Sequence, residues 1–170
     1  MKIQIIGYSG SGKSTLAKIL VEYYNLPLLY LDAVQFYGNW EERSKAEQNR
    51  IVNEFLKNNS DGWVIDGNYS RIAPSRFEES NLIIFLNFNR FFCFKEAFKR
   101  YKKYRAKIRE SCPCMEKFDF EFMWWLLYKG RTRTRKQMHL NNLNKSKGEK
   151  LIFKNRKSLN KYLKEKKIKF

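Results

Sequence analysis

The chain alternates between short apolar runs and longer stretches in which apolar residues recur every three or four positions. Continuous apolar runs bounded by polar residues are typical of strands that are buried on both faces. Five such runs predict strands at residues 2–6, 28–31, 62–66, 82–86 and 149–153. The first run is followed at once by a glycine-rich stretch, and the second and third end at Asp32 and Asp66.

Helical spacing marks the stretches between these runs. The apolar stripes are Leu16, Ile19, Leu20 and Tyr23; Ile51, Val52, Phe55 and Leu56 within 44–58; Phe94, Ala97, Phe98 and Tyr101; and Leu159, Tyr162 and Leu163. Buried strands that alternate with helices predict an α/β fold with a parallel sheet covered on both faces. Ligands of such sheets bind at the carboxyl ends of the strands, so Gly7, Asp32 and Asp66 are expected to share one site.

Length and composition narrow the class of protein. A chain of 170 residues with 43% hydrophobic and 16% aromatic content is expected to fold as one domain, 1–170, with a real core. No apolar run approaches the ~18 residues of a membrane-spanning helix, and the apolar start is too short for a signal peptide. Three cysteines argue against a secreted disulfide framework, so we expect a cytoplasmic protein.

The net charge of +18 is distributed unevenly along the chain. Residues 1–89 carry nine Lys and Arg against ten Asp and Glu, whereas residues 90–170 carry 26 against seven. Two interpretations stay open. The basic half is either a surface for nucleic acid or another polyanion, or a solvated lysine-rich surface with several arginines that handle nucleotide phosphates.

The stretch GYSGSGKST, residues 7–15, completes the pattern G-x-x-x-x-G-K-[ST]. Glycines let backbone amides curl around phosphates, and the following helix points its positive end at them. Lys13 is expected to reach the β- and γ-phosphates, and the Ser14 hydroxyl to ligate Mg²⁺. The predicted ATP-binding residues are Gly7, Ser9, Gly10, Ser11, Gly12, Lys13, Ser14 and Thr15.

The rest of the sequence favours a small kinase over other nucleotide-binding proteins. A GTPase needs a guanine-reading Asn-Lys-x-Asp segment, and the segments at 144–147 and 160–163 lack its aspartate. Helicases and remodelling ATPases need a larger core than five strands. What remains is a compact enzyme that transfers the γ-phosphoryl group of ATP to a small acceptor.

Two aspartates at predicted strand ends are the candidate catalytic carboxylates. Asp66 would hold the water shell of Mg²⁺, and Asp32 would position or deprotonate an acceptor hydroxyl. The alternatives are that Asp66 only caps a turn and that Asp32 is a helix N-cap or a turn residue. The residues predicted to face the acceptor are Asp32, Trp40, Gly67, Asn68, Tyr69 and Arg71.

The stretches YLDAVQFYGNW, GWVIDGNYSR and IIFLNFNR, with the glycine-rich loop, resemble the DNA topology modulation proteins. These look like adenylate-kinase-type P-loop kinases, related to shikimate, gluconate and nucleotide kinases. The resemblance implies a three-layer P-loop NTPase fold with a helical lid at 101–130, an acceptor-binding segment at 33–60, and a Walker B-type role for Asp66. Asn87 departs from the aspartate that relatives usually carry there.

Three arginines are candidates for neutralising phosphate charge when a lid closes. Arg100 lies thirteen residues after Asn87, a spacing similar to that of a lid-base arginine in adenylate kinases. Arg131 and Arg135 are four residues apart and would share one face of a helix. The alternative for all three is a solvated basic helix face.

Two further features of the second half need an interpretation. Cys112 and Cys114 lack the second pair of ligands that a zinc knuckle needs, so we expect a lid turn. The aromatic segment 118–128 is expected to pack in the lid or between subunits of a homodimer, if the protein is not a monomer; base stacking is the alternative. The sequence thus predicts an ATP- and Mg²⁺-dependent kinase acting on a nucleoside, nucleotide or hydroxylated metabolite, with a nucleotide-regulated DNA-binding protein as the alternative.

Overall fold

A computed structural model describes residues 1–169 of the chain. Its five strands, β1 to β5, are Lys2–Gly7, Leu28–Tyr30, Trp63–Asp66, Leu82–Leu86 and Glu149–Phe153. All strand pairs are parallel, and the order across the sheet is β2-β3-β1-β4-β5. The predicted five-stranded parallel sheet is therefore confirmed, with strand ends that differ from the predicted ones by a residue in three cases.

Eight helices, α1 to α8, lie within the described residues: Lys13–Tyr24, Leu31–Gln35, Lys45–Asn58, Ser75–Glu79, Arg90–Tyr104, Phe120–Leu127, Arg133–Lys145 and Arg156–Glu165. A 3₁₀ turn at Lys129–Arg131 separates α6 from α7. None of these helices combines the length and the apolar character that crossing a bilayer requires.

The central strands β1, β3 and β4 are buried on both faces, which explains their continuous apolar runs, while the edge strand β5 is largely exposed. Residues of α1, α7 and α8 pack in the larger hydrophobic cluster, together with β1 and β4. Residues of α2 and α3 pack with Trp63 and Ile65 of β3 in a second cluster. Both clusters contribute to holding the central strands rigidly, so the residues that follow β1 and β3 leave the sheet from fixed points.

The end of β2 differs from the prediction. The strand was expected over 28–31 with Asp32 beyond its end, but pairing stops at Tyr30, opposite Asp66, the last residue of β3. With no further partner strand, the chain turns into α2, and Asp32 lies in the first turn of this helix. A carboxylate is favourable there because it meets the positive end of the helix dipole.

Aromatic packing connects the predicted lid segment to α5. The ring of Phe118 lies 5.3 Å from that of Phe94, 5.2 Å from that of Phe98 and 5.8 Å from that of Tyr101, measured between centroids. The chain between α5 and α6, residues 105–119, has no helix or strand of its own. Its place is therefore set by side-chain contacts of this kind.

Candidate active site

The glycine-rich loop runs from the end of β1 to the start of α1. Gly10 and Gly12 have φ angles of 77° and 89°, which favour glycine. Helices α3, α5, α6, α7 and α8 each begin with a side chain that accepts a hydrogen bond from the first turn. In the described chain, α1 has no such side-chain cap. Its amides thus remain able to bind an external anion, as a phosphate loop requires.

The structure brings Lys13, Ser14 and Asp66 together. Ser14 Oγ donates a hydrogen bond to Asp66 Oδ2 at 2.6 Å, and Lys13 Nζ donates to the carbonyl of Tyr8 at 3.2 Å. Asp66 Oδ1 is buried and has no hydrogen-bond partner among the described residues. The carboxylate and the lysine therefore belong to one polar site at the carboxyl ends of β1 and β3.

Asp66 is only 5% exposed, and burial raises the pKa of its carboxyl to about 6. The positive charge of Lys13, the hydrogen bond from Ser14 and the positive charge of Arg109 oppose this rise, while the charge of Asp32 adds to it. A bound cation would favour the ionised carboxylate further. The electrostatic surroundings of Asp66 therefore suit a carboxylate whose negative charge is balanced by a bound metal ion.

The segment after β3 is anchored more firmly than the sequence suggested. Asn68 was predicted to face the acceptor, but its amide accepts a hydrogen bond from Gly7 N and donates one to Gly7 O, both at 2.9 Å. A Cβ on Gly67 would lie 2.6 Å from Leu31 Cβ, so only glycine fits there. The side chain of Asn68 thus holds the loop in place, while the Arg71 residue is exposed.

Arg76 supports this segment from within the protein. Its buried guanidinium donates to Gln4 Oε1 and to the carbonyls of Asn68, Tyr69, Ile72 and Ala73. Burial lowers the pKa of Arg76 to about 9. Arg76 was not predicted, because the spacing of residues along the sequence does not distinguish a buried arginine from an exposed one.

On the acceptor side, Tyr69 Oη donates a hydrogen bond to Asp32 Oδ1 at 2.7 Å. Burial and the neighbouring Asp32 carboxylate raise the pKa of Tyr69 above its usual value. Trp40 is held against residues 105–119: its indole N–H donates to Met115 O at 3.0 Å and its backbone N–H to Cys114 Sγ at 3.3 Å. Segment 33–60 and the predicted lid are therefore in direct contact.

The three predicted arginines lie in different places. Arg100 lines the cleft above the glycine-rich loop. Arg131 stacks on the ring of Tyr8, within the loop, at 3.7 Å, and its Nη1 donates to Phe88 O at 2.6 Å; its Nη2 is buried and has no partner in the described chain. The Arg135 guanidinium lies over the ring of Trp125, 5.9 Å from its centroid.

The expectation that Arg131 and Arg135 share one face of a helix is wrong. Arg131 ends the 3₁₀ turn, Thr132 caps the next helix, and Arg135 lies in α7. Their charges nevertheless act on the same region. Burial lowers the pKa of His139 to about 4, and the charges of Lys13, Arg135 and Arg131 add to this effect.

A cleft of about 670 Å³ opens between the glycine-rich loop and residues 96–111. Lys13, Ser14 and Asp32 line one wall. Arg100, Arg109 and Arg156 line the cleft as well. Arg109 and Arg156 were missed in the sequence, since arginines are frequent throughout 90–170 and no spacing rule marks those that reach a cleft.

The residues present fit the groups that the sequence implies. The carboxylate of Asp66 and the hydroxyl of Ser14 supply oxygen atoms, the ligand type that Mg²⁺ prefers, and Asp66 Oδ1 has no hydrogen-bond partner in residues 1–169 that would compete with a cation or its water. The uncapped start of α1 and the surrounding cations suit a triphosphate. Among residues 1–169 no cluster of three or more His, Cys, Asp or Glu forms a metal cage, in keeping with the few protein ligands of Mg²⁺–nucleotide sites.

Comparison with known proteins identifies the fold. No family model and no curated protein matches the chain. Shikimate kinase from Bacteroides thetaiotaomicron is 17% identical with a TM-score of 0.55, over 98% of this chain and 96% of that one. Shikimate kinase from Acinetobacter baumannii in complex with shikimate is 12% identical with a TM-score of 0.57, over 99% and 95%.

A third similar structure is deoxyadenosine kinase from M. mycoides with bound dATP, which is 13% identical with a TM-score of 0.55 over 98% of each chain. At such identities the likeness concerns the fold alone. The chain therefore has the P-loop, adenylate-kinase-like fold that these small-molecule kinases share. This confirms the predicted fold class.

Proposed function

We propose that this protein transfers the γ-phosphoryl group of ATP, in the presence of Mg²⁺, to a small hydroxyl-bearing acceptor. The observation that carries the proposal is the 2.6 Å hydrogen bond between Ser14 and Asp66, beside Lys13 and with Asp66 Oδ1 unpartnered. The start of α1 and the end of β3 bring these residues together, and Lys13 and Ser14 line the cleft. The kinase fold of the similar structures supports the same class of reaction.

The residues of the cleft have distinct proposed roles. The amides of the glycine-rich loop and Lys13 bind the phosphates, and Arg100 and Arg131 offset the negative charge that develops during transfer. Ser14 and Asp66 would hold Mg²⁺, which supplies positive charge to the transferring group when it is bound. Asp32, oriented by Tyr69, accepts a hydrogen bond from the acceptor hydroxyl and holds it in line.

We assign segment 33–60 to acceptor binding and 101–130 to a cover over the cleft. The hydrogen bonds from Trp40 to Met115 and Cys114 join the two segments. Acceptor binding and closure of the cleft would then be coupled, which limits transfer to water. Both assignments come from the resemblance to DNA topology modulation proteins, which rests on the glycine-rich loop and the stretches YLDAVQFYGNW, GWVIDGNYSR and IIFLNFNR.

A screen of nucleosides, nucleotides and hydroxylated acids with ATP and Mg²⁺ tests the proposal. We expect at least one acceptor to be phosphorylated by the wild-type protein, and Lys13→Ala to reduce the rate by about 10³-fold because a phosphate-binding cation is lost. Lys161→Ala, an exposed lysine on α8, is the matched control and should leave the rate unchanged. Turnover by Lys13→Ala at the wild-type rate would contradict the proposal.

The charge excess of residues 90–170 favours one second candidate, a nucleotide-regulated DNA-binding protein. Binding through a basic surface weakens steeply between low and moderate salt. Lys13→Ala should leave such binding intact. Tight, ATP-dependent DNA binding without phosphorylation of any acceptor would favour this candidate over the kinase.

A further inference from the structure

A buried carboxylate lies behind the wall of the cleft formed by residues 96–111. The side chain of Glu116 is only 4% exposed, although it belongs to the segment between α5 and α6 that has no regular structure. Its Oε2 accepts a hydrogen bond from Arg100 Nε at 3.1 Å, and its Oε1 pairs with Arg109 Nη2 at 2.5 Å. One carboxylate thus holds two arginines through separate oxygen atoms.

Both arginines keep donors for another group. Arg100 uses only its Nε in the bond to Glu116, so its terminal nitrogens are not engaged by this carboxylate. Arg109 Nη1 donates to Ser111 Oγ at 2.6 Å, and its Nε is buried without a hydrogen-bond partner in residues 1–169. Both guanidinium groups belong to residues that line the cleft, whereas Glu116 does not.

We propose that Glu116 is a positioning residue that holds Arg100 and Arg109 in place to bind the phosphate tail of the nucleotide. The inference rests on the proposed function and extends it, because it adds Arg109 to the phosphate-binding cations and names the group that orients it. Two neighbouring guanidinium groups repel each other, and an intervening carboxylate offsets that repulsion. Cations fixed before the ligand arrives need no reorganisation when it binds.

The three contacts also explain how a segment without helix or strand can contribute to a precise site. Arg100 is fixed by α5, so its bond to Glu116 ties residues 109–116 to a rigid helix. Arg109 is then placed by Glu116 and Ser111 rather than by local backbone structure. Without the Glu116 carboxylate, Arg100 and Arg109 should still be present, but their guanidinium groups should no longer be held in a fixed orientation.

The test measures how strongly the phosphates contribute to binding. A fluorescent ATP analogue is displaced by ATP and by AMP, and the ratio of the two affinities is compared between wild type, Glu116→Gln and Glu116→Asp. We expect Glu116→Gln to lower the ATP-to-AMP affinity ratio about tenfold, the effect of one misplaced charged donor, and Glu116→Asp to restore part of it. Glu165→Gln, which removes a carboxylate from the exposed pair with Lys161 on α8, is the matched control and should keep the wild-type ratio.

The possible results distinguish a failure of the inference about Glu116 from a failure of the proposed function. If wild type binds ATP in a Lys13-dependent way and Glu116→Gln lowers only the unfolding temperature, Glu116 is structural and the inference is overturned alone. A higher ATP affinity of Glu116→Gln would also overturn it, because the carboxylate would then compete with phosphate. If wild type does not bind ATP, the proposed function and this inference fall together.

A second variant covers the case in which Glu116→Gln does not fold. Arg109→Gln changes a cleft-lining side chain and leaves Glu116 paired with Arg100. It should lower the same affinity ratio by a similar factor, and an unchanged ratio would overturn the inference. Where both variants fold, the double variant should lose less than the product of the two single losses, since Glu116 acts partly through Arg109.

Discussion

The two walls of the cleft are built in different ways. Asp66 ends β3 and is fixed by strand pairing with β1, whereas Lys13 and Ser14 begin α1, directly after the loop that leaves β1. The backbones of all three residues therefore belong to regular secondary structure. Arg100 and Arg109 of the other wall come instead from a helix and an irregular segment, and their contacts with Glu116 fix them. Arg131, in the 3₁₀ turn beside the glycine-rich loop, is likewise fixed by side-chain contacts, with Tyr8 and Phe88. One wall is rigid because of the fold, and the other depends on a few individual interactions.

This difference has a consequence for variants. A change on the strand wall removes one chemical group and leaves its neighbours in place. A change on the arginine wall can displace cations that it does not touch, as the shared carboxylate of Glu116 illustrates.

The largest effect is expected at Asp66. Asp66→Asn should lower phosphoryl transfer by about 10²–10³-fold, because the carboxylate that would hold the metal is lost while the hydrogen bond with Ser14 can persist. Steady-state turnover with ATP and Mg²⁺ measures it. Asp61→Asn, in the turn before β3, is the control and should be unaffected; a similar loss in both variants would contradict the role of Asp66.

The rigidity of the strand wall predicts a large stability effect at Arg76. Arg76→Met keeps much of the side-chain volume but leaves Gln4 and four buried or half-buried carbonyls without their donor. We expect the free energy of unfolding to fall by about 2–4 kcal/mol, measured by urea denaturation. Arg50→Met, on the exposed face of α3, should change it by less than about 0.5 kcal/mol. Equal effects would contradict the structural role.

The pKa of Asp66 predicts a pH effect of similar size. Its folded pKa of about 6 lies above the ordinary value of 3.8, so the protonated carboxyl contributes stability that is lost as pH rises from about 4 through about 6. The loss corresponds to about 3 kcal/mol. Asp66→Asn removes it, so the stability of the variant relative to wild type should rise by that amount between pH 4 and pH 7.

The measurement uses urea denaturation of both proteins without nucleotide. The difference between the two proteins is the quantity to compare, because His139 acts in the opposite direction. Its folded pKa of about 4 lies below 6.5, so its contribution to stability is lost as pH falls through this range. A difference between variant and wild type that stays constant over pH 4–7 would contradict the prediction.

The smallest effect distinguishes Arg131 from Arg135. Arg131→Ala should lower turnover by about 10–100-fold, because this guanidinium stacks on the glycine-rich loop and keeps a buried donor unpartnered. Arg135→Ala should change turnover by less than about threefold, since the Arg135 guanidinium lies over the ring of Trp125 and acts on the site through its charge. Equal losses would show that the arginine wall acts as one cationic surface rather than through individual contacts.

The sheet, the glycine-rich loop and the carboxylates at the strand ends could all be predicted from the sequence. A continuous apolar run indicates a strand that is buried on both faces. A residue that ends or follows a parallel strand lies at the edge of the sheet where ligands bind. Lys13, Ser14 and Asp66 could therefore be placed near one another from their positions in the chain. The end of β2 was predicted to within a residue, and a helix start at Asp32 was left open as an alternative, whereas the short helix α4 was not predicted.

The cations of the candidate site could be identified only from the way the whole chain packs. Residues 90–170 contain 26 lysines and arginines, and local spacing does not distinguish one that lines a cleft from one that faces solvent. Arg109 is selected by Glu116, and Arg131 by the ring of Tyr8 and the carbonyl of Phe88. These partners are distant in the chain or lie in irregular segments, so their pairing depends on how the whole chain packs.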